Sequence, residues 1–339
     1  MARPKLSFFC ELEIEPLEGL FNEAVIQRLV SLKATICLGI LDLSQERAAV
    51  VRSLNRSGVP VVAWLLLPKD QGYWFNAGNA PQALDRYEQF CAWSAEQNLA
   101  WAGIGLDIEP DIRDMAALGK TRGRMILKLL PRLFYLRQMR RARRTYRALV
   151  ALIHAGGYPV ESYQLPLIAD ERRVGSTVLQ RLAGVVDVSV DREIWMLYTS
   201  LMRPNGPGTL ASYAPEAQAI GLGVTGGGVV EHGLANPAPL TWEEFARDLR
   251  LAWLWCDDLC IFSLEGCVEH DFLDRLQTFD WDLPILTPDS GKVRADALRG
   301  TIQSGLWLAQ RLPIILAGMG AGLVTLKSLQ YYRRRLSKQ

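Results

Sequence analysis

Eight short stretches of the chain read as strands, either alternating between apolar and polar residues or continuously apolar: 6–13, 34–41, 59–67, 103–111, 160–165, 193–199, 220–225 and 258–265. Between most of them apolar residues recur at helical spacing, over 20–32, 45–57, 83–97, 124–153, 176–185 and 241–255. A period of two marks a half-buried strand and a period of 3.6 an amphipathic helix. Strands alternating with helices predict parallel βα units. Eight units without an internal repeat predict a closed (β/α)8 barrel over residues 5–280, with an open doubly wound sheet as the alternative. No Gly-x-Gly-x-x-Gly turn follows the first strand, which speaks against a dinucleotide-binding sheet.

The stretch 103–111, GIGLDIEPD, carries the chemistry. As a strand it places Gly103, Gly105, Asp107 and Glu109 on one face and Ile104, Leu106 and Ile108 on the other. In a barrel the apolar face meets the helices, the glycine face fills the interior, and the two acids reach the C-terminal mouth, where barrel enzymes work. Their Cβ atoms are expected about 6.5–7 Å apart. Other strand ends add Glu11 and Glu13, Glu161 or Tyr163, Tyr198 and Glu265. The loop 69–79 is rich in aromatics and amides, so Trp74 or Tyr73 could stack on a sugar while Asn76 and Asn79 bond its hydroxyls. Carboxyls, a tyrosine and aromatics around one mouth suit glycosidic-bond cleavage, in which one carboxyl protonates the leaving oxygen. Glu109 could pair across the mouth with Glu265, Glu161 or Glu11. Alternatively Glu11, Glu13, Asp107 and Glu109 could hold Mg2+ or Ca2+ in a phosphodiesterase-type barrel. With only three His, none in an acid/base motif, a His-dependent phosphodiesterase is disfavoured. No cofactor is expected, and no zinc site, because Cys256-x3-Cys260 lacks a matching pair.

Residues 102–109 resemble the fourth-strand motif D-x-x-D-x-D-x-E of the chitinase-like (family 18) glycoside hydrolases, through Asp107 and Glu109. Ala102 and Gly105 stand at its first two acidic positions. Trp195-Met196-Leu197-Tyr198-Thr199 is similar to that family's M-x-Y-D, with Thr199 at the Asp. The family's S-x-G-G on strand three and the Trp ending strand eight are absent; VVAWLLL and Leu264-Glu265 stand there. The resemblance implies a barrel that cleaves bonds of N-acetylated amino sugars. Glu109 would be the general acid, Asp107 would orient the substrate's 2-acetamido group as nucleophile, and Tyr198 would hydrogen-bond that group. A non-catalytic barrel that binds a saccharide or a protein is the other class.

Charge adds a second theme. Residues 115–160 hold eleven Lys/Arg and no acid, and 303–339 hold six, again with no acid. The rest is acidic, with 36 Asp/Glu against the other 21 of the 38 Lys/Arg. The expected organisation is barrel 5–280, linker 281–303, and a hydrophobic, basic membrane-attachment segment 304–339. Its uncharged core, 312–326, is short of the roughly 20 residues that span a bilayer, and Lys327, Tyr331 and Tyr332 bring it near that length. Arg333–Arg335 favour the cytosol, where the barrel is also expected, so either a shallow or re-entrant anchor or a tail anchor that breaks the charge rule is expected. The Arg-rich helix 124–153 mixes cations with leucines, a pattern suited to an anionic membrane surface. Nucleic acid is not expected, because no aromatic platform accompanies the arginines. No export signal precedes the barrel, which is expected on the cytosolic side of its membrane. The substrate is expected to be a carbohydrate or a lipid-linked saccharide.

Overall fold

Each of the eight expected strands forms, and each pairs in parallel with the next: β1 (Lys5–Cys10), β2 (Thr35–Ile40), β3 (Val61–Leu65), β4 (Gly103–Asp107), β5 (Val160–Gln164), β6 (Arg192–Met196), β7 (Ala219–Gly223) and β8 (Asp258–Phe262). β8 returns to β1, from Lys5↔Asp258 to Phe9↔Phe262, and closes the barrel. The computed structural model describes residues 3–120, 128–229 and 237–336, with side chains as far as 117 in the first stretch and 312 in the last. The helices cover the outside of the barrel. Ser44 caps Gln45–Arg56 by accepting the Arg47 amide, and Thr241 and Glu244 form a capping box at the start of Trp242–Trp253, each satisfying amides that a helix start leaves free.

Alternation within the strands sorts the interior into three tiers. At the N-terminal end Arg192 pairs with Asp258 and with Glu161, the latter at 2.5 Å. Above this lies an aromatic tier. Phe9, Trp64 and Tyr163 meet edge to face with centroids 4.8–5.8 Å apart, and Phe262 tilts against Phe9. The carboxyl groups of the mouth form the third tier. Gly105 makes the middle tier possible, because a Cβ there would run into the Tyr163 hydroxyl.

Two expectations change. The helix expected over 124–153 is interrupted: a 3-10 turn, Leu130–Phe134, carries Pro131, and a separate helix, Leu136–Ala155, follows. Proline lacks the amide that an uninterrupted α-helix would use. Residues 124–127 of that expected helix lie outside the described residues. The segment 281–303 is not simply a linker, since a 48-residue helix, Asp289–Leu336, begins inside it. At about 1.5 Å per residue the helix is about 70 Å long. Its first half is fastened to the barrel. Buried Arg299 bonds Asp170 Oδ1 and the Ser212 carbonyl, pairs with Glu216, and covers the Tyr213 ring at 3.8 Å. Gln303 donates to the same Asp170, and Gly208 lies directly against Gly291. No helix among the described residues is long and apolar enough to cross a membrane.

Arg299→Ala strips buried Asp170 of its cation. Urea denaturation is expected to show a loss of about 3 kcal/mol, with faster proteolysis between residues 282 and 300.

Candidate active site

The sequence-level pair comes together at the mouth. Asp107 is buried and Glu109 half-buried, both pointing inward from the end of β4. Their backbone is pinned by the loop after β3, where the Phe75 amide donates to the Asp107 carbonyl (2.8 Å) and the Glu109 amide to the Phe75 carbonyl (2.9 Å). Trp64 Nε1 donates to Asp107 Oδ2 at 3.0 Å. Asp107 Oδ1 is buried without a donor from any other described group. The Glu109 carboxyl acts on it directly, and two acids so coupled do not both ionise readily. Burial pushes Glu109 up to about 7. Burial, and then the charges of Glu109 and Glu11, push Asp107 well above the carboxylate range, against the Trp64 bond. A pair of this kind keeps one shared proton near neutrality.

Glu11 joins from the end of β1. Tyr73 donates its hydroxyl to Oε1 at 2.5 Å and the Val229 amide donates to Oε2 at 3.0 Å. Burial still drives this carboxyl up to about 8. Glu265 lies beside it, in the first turn of Leu264–Glu269, and accepts the Glu11 amide at 3.4 Å. Its Oε2 is buried and unbonded, and burial raises this acid also. Among the described residues no lysine or arginine bonds any of the four acids. Tyr198 faces the same space. Its ring packs on Phe262 at 5.6 Å, and burial followed by the charges of Glu109 and Asp107 raises its hydroxyl far above the usual value.

Other expected site residues lie elsewhere. Glu161 is not at the mouth. It sits below the aromatic tier, its carboxylate occupied by Arg192, the Tyr163 hydroxyl (2.9 Å) and the Cys37 thiol (3.4 Å). Asn76 is not free for a sugar either, because its side chain accepts the Gly78 amide and donates to the Trp74 carbonyl; Asn79 likewise bonds the Asn76 amide and the Trp74 carbonyl. Their amides shape the loop. Trp74 is half-buried with its ring edge on Tyr73, and Glu13 is exposed at the start of Ile14–Leu20.

Three contributors have roles that the sequence does not show. Trp64 was noted only as a departure from the family motif. Tyr73 sits at φ 64°, a left-handed conformation that costs a non-glycine residue about 1–3 kcal/mol, and from there it reaches Glu11. The run Gly226-Gly227-Gly228 turns tightly, as its composition suggests, and all three have positive φ. A Cβ at Gly227 would strike Glu265 and Ser263, so only glycine lets this loop press on β8 and aim the Val229 amide at Glu11.

No protein-family model matches the chain, and no curated protein sequence does. Among solved structures it is similar to a GH18 chitinase from Pseudoalteromonas aurantia (10% identity, TM-score 0.44, covering 81% of this chain and 100% of that one). It is also similar to the PgaB (BpsB) glycoside hydrolase domain from Bordetella bronchiseptica (9%, 0.47, 84% and 100%) and to an L-ribulose 3-epimerase (12%, 0.37, 94% and 98%). The barrel itself is established by the strand pairing, and a barrel hosts many chemistries. The reading of function therefore rests on the mouth.

Glu11 is protonated more readily in the folded chain than in the unfolded one. Its contribution to stability is complete below about 4.5 and is lost as pH rises through about 8. Glu11→Gln is expected to remove this loss. Chemical denaturation at pH 5 and pH 9 should show a fall for the parent that shrinks in the variant, by an amount on the order of a few kcal/mol.

Proposed function

We propose that the barrel cleaves a glycosidic bond of an N-acetylated amino sugar. One observation carries this reading: Glu109 is held by burial with a pKa near 7, beside Asp107, at the C-terminal mouth. A group that must donate a proton at neutral pH needs this poise, and a binding surface does not. In the proposed reaction the acetamido N–H, once it reaches Asp107, leaves the proton shared by the pair on Glu109. Asp107, fixed by Trp64, accepts the acetamido N–H and turns the acetamido oxygen toward the anomeric carbon. That oxygen forms a bond to the carbon as the glycosidic C–O bond breaks, and Glu109 protonates the leaving oxygen. Glu109, now a carboxylate, then takes a proton from water, whose oxygen attacks the same carbon and releases the acetamido group. The anomeric configuration is retained after two displacements. The Tyr198 hydroxyl would hold the acetamido oxygen.

A metal-dependent phosphodiesterase has less support. Among the described residues no three His, Cys, Asp or Glu side chains are grouped to hold an ion. A two-carboxylate mechanism using Glu109 with Glu11 or Glu265 is separated by substrate choice, since it needs no acetamido group.

The test is hydrolysis of soluble fluorogenic glycosides. N-acetylglucosaminides are expected to turn over and plain glucosides not. Glu109→Gln should lower kcat/KM by about 10²–10⁴-fold. Turnover unchanged by that substitution removes the mechanism, and silence from every glycoside favours a saccharide-binding barrel.

Because the acid form of Glu109 is the active one, kcat/KM should fall as pH rises through about 7. A pH–rate profile measured from 5 to 9 checks the sign.

A further inference from the structure

On the outer side of the chain that follows Glu109 lies a cavity of about 210 Å3 that the proposed reaction does not use. It starts at Pro110, the residue after Glu109, and its walls are Met115, Leu129, Leu165, Leu179 and Leu182 among others. Asp114, Arg132 and Ala183 also line a second cavity of about 190 Å3, which reaches the polar side chains of Asp111, Gln138 and Arg181. The apolar one is smaller than the roughly 300–1,000 Å3 of a whole ligand site, so it suits one part of a molecule.

The rim around it is unusual for a surface facing only water. Phe134 is 81% exposed, and Leu130, Tyr135, Leu136 and Leu167 are also exposed. Gln138, two residues after Leu136, reaches the carbonyl of Ala77 in the loop after β3, which places this corner at the mouth. On the same helix Arg137, Arg140, Arg141, Arg144 and Arg147 are exposed, and none is paired with an acid among the described residues. Arg181 ties the corner to the C-terminal helix by donating to the Leu133 carbonyl and to Gln310. Just beyond Gln310 the sequence enters the uncharged stretch 312–326. Exposed apolar side chains, unpaired arginines and an apolar cavity thus share one edge of the active-site mouth. Hydrocarbon with anionic headgroups complements all three.

We propose that the apolar cavity takes a hydrocarbon chain of the substrate, so that the barrel acts on the sugar of a glycolipid at an anionic membrane surface. This rests on the glycosidase reading for its chemistry but not for its geometry. The hydrocarbon would leave the cavity at Pro110, over the rim from the mouth, with the arginines facing lipid phosphates and Phe134 and its neighbours in the headgroup layer.

The test uses the full chain carrying Glu109→Gln, so that nothing is turned over, titrated by calorimetry with hexyl, octyl and decyl N-acetylglucosaminides below their micelle concentrations. Affinity is expected to rise about fourfold per added CH2. Met115→Trp, at a partly exposed wall position, and Leu179→Trp are expected to flatten that rise, with melting curves confirming that each variant folds. Affinity independent of chain length, no binding of any member, or an undiminished rise in both Trp variants overturns the proposal; the first two outcomes are also those expected if the chain's own residues fill the cavity. Hydrolysis of the short soluble glycosides reads the chemistry without the cavity, so failure of the lipid site and failure of the glycosidase reading are separable.

Discussion

Everything at the mouth depends on four carboxyl groups drawn largely out of water, with no cation among the described residues bonded to any of them. Desolvation disfavours the charged form, and like charges close together add to the effect. In the same barrel Glu161 and Asp258 are neutralised by Arg192, so the chain has the means to pair buried acids and does not use it at the mouth. What separates the two regimes is the aromatic tier of Phe9, Trp64, Tyr163 and Phe262. It keeps the guanidinium on one side and leaves Glu11, Asp107, Glu109 and Glu265 on the other. An arginine bonded to Glu109 would hold it ionised and useless as an acid at neutral pH.

The acids are held in place chiefly by neutral donors. Trp64 serves Asp107, Tyr73 and the Val229 amide serve Glu11, and buried Arg47 and Arg86 act one layer back. Arg47 bonds the carbonyls of Gly39 and Leu12, and Arg86 those of Leu66 and Ile40. These are the carbonyls freed where β1, β2 and β3 end, and leaving them unpaired in the interior would be costly. The cations therefore stiffen the frame while neutral N–H and O–H groups touch the acids. That division fixes position without discharging the protons.

The barrel was legible because it is written in local periodicity. All eight strands follow from runs of a few residues, and the inward face of β4 follows from two glycines and two acids at alternate positions. Depth was not legible. Glu161 and Asp107 look alike as acids near strand ends, yet the register puts Glu161 beside Gly105, one tier lower, within reach of Arg192. The fate of Asn76 was hidden for another reason, since a loop's own turns decide whether an amide is free. The attachment of residues 289–311 was hidden because Arg299 and Asp170 are 129 residues apart, and a polar stretch after the last strand looks the same whether it is docked or loose.

Position 105, where the resembled motif has an acid, shows what glycine does in this barrel. An acid at position 105 would stand two residues before Asp107 on the same inward face and add a fifth carboxyl to the group. Glycine there gives its space to Tyr163, whose hydroxyl turns down to Glu161, and the partner of Asp107 becomes the Trp64 N–H. Those two partners act in opposite directions. Another carboxylate would raise the Asp107 pKa further, whereas the indole N–H lowers it. Thr199 shows a similar exchange, for it is buried and hydrogen-bonded to Asp248, away from the mouth. Both positions are thus filled by groups that bond elsewhere in the barrel. Support of the pair comes from an aromatic donor in place of a further acid, and that donor keeps Asp107 fixed beside Glu109.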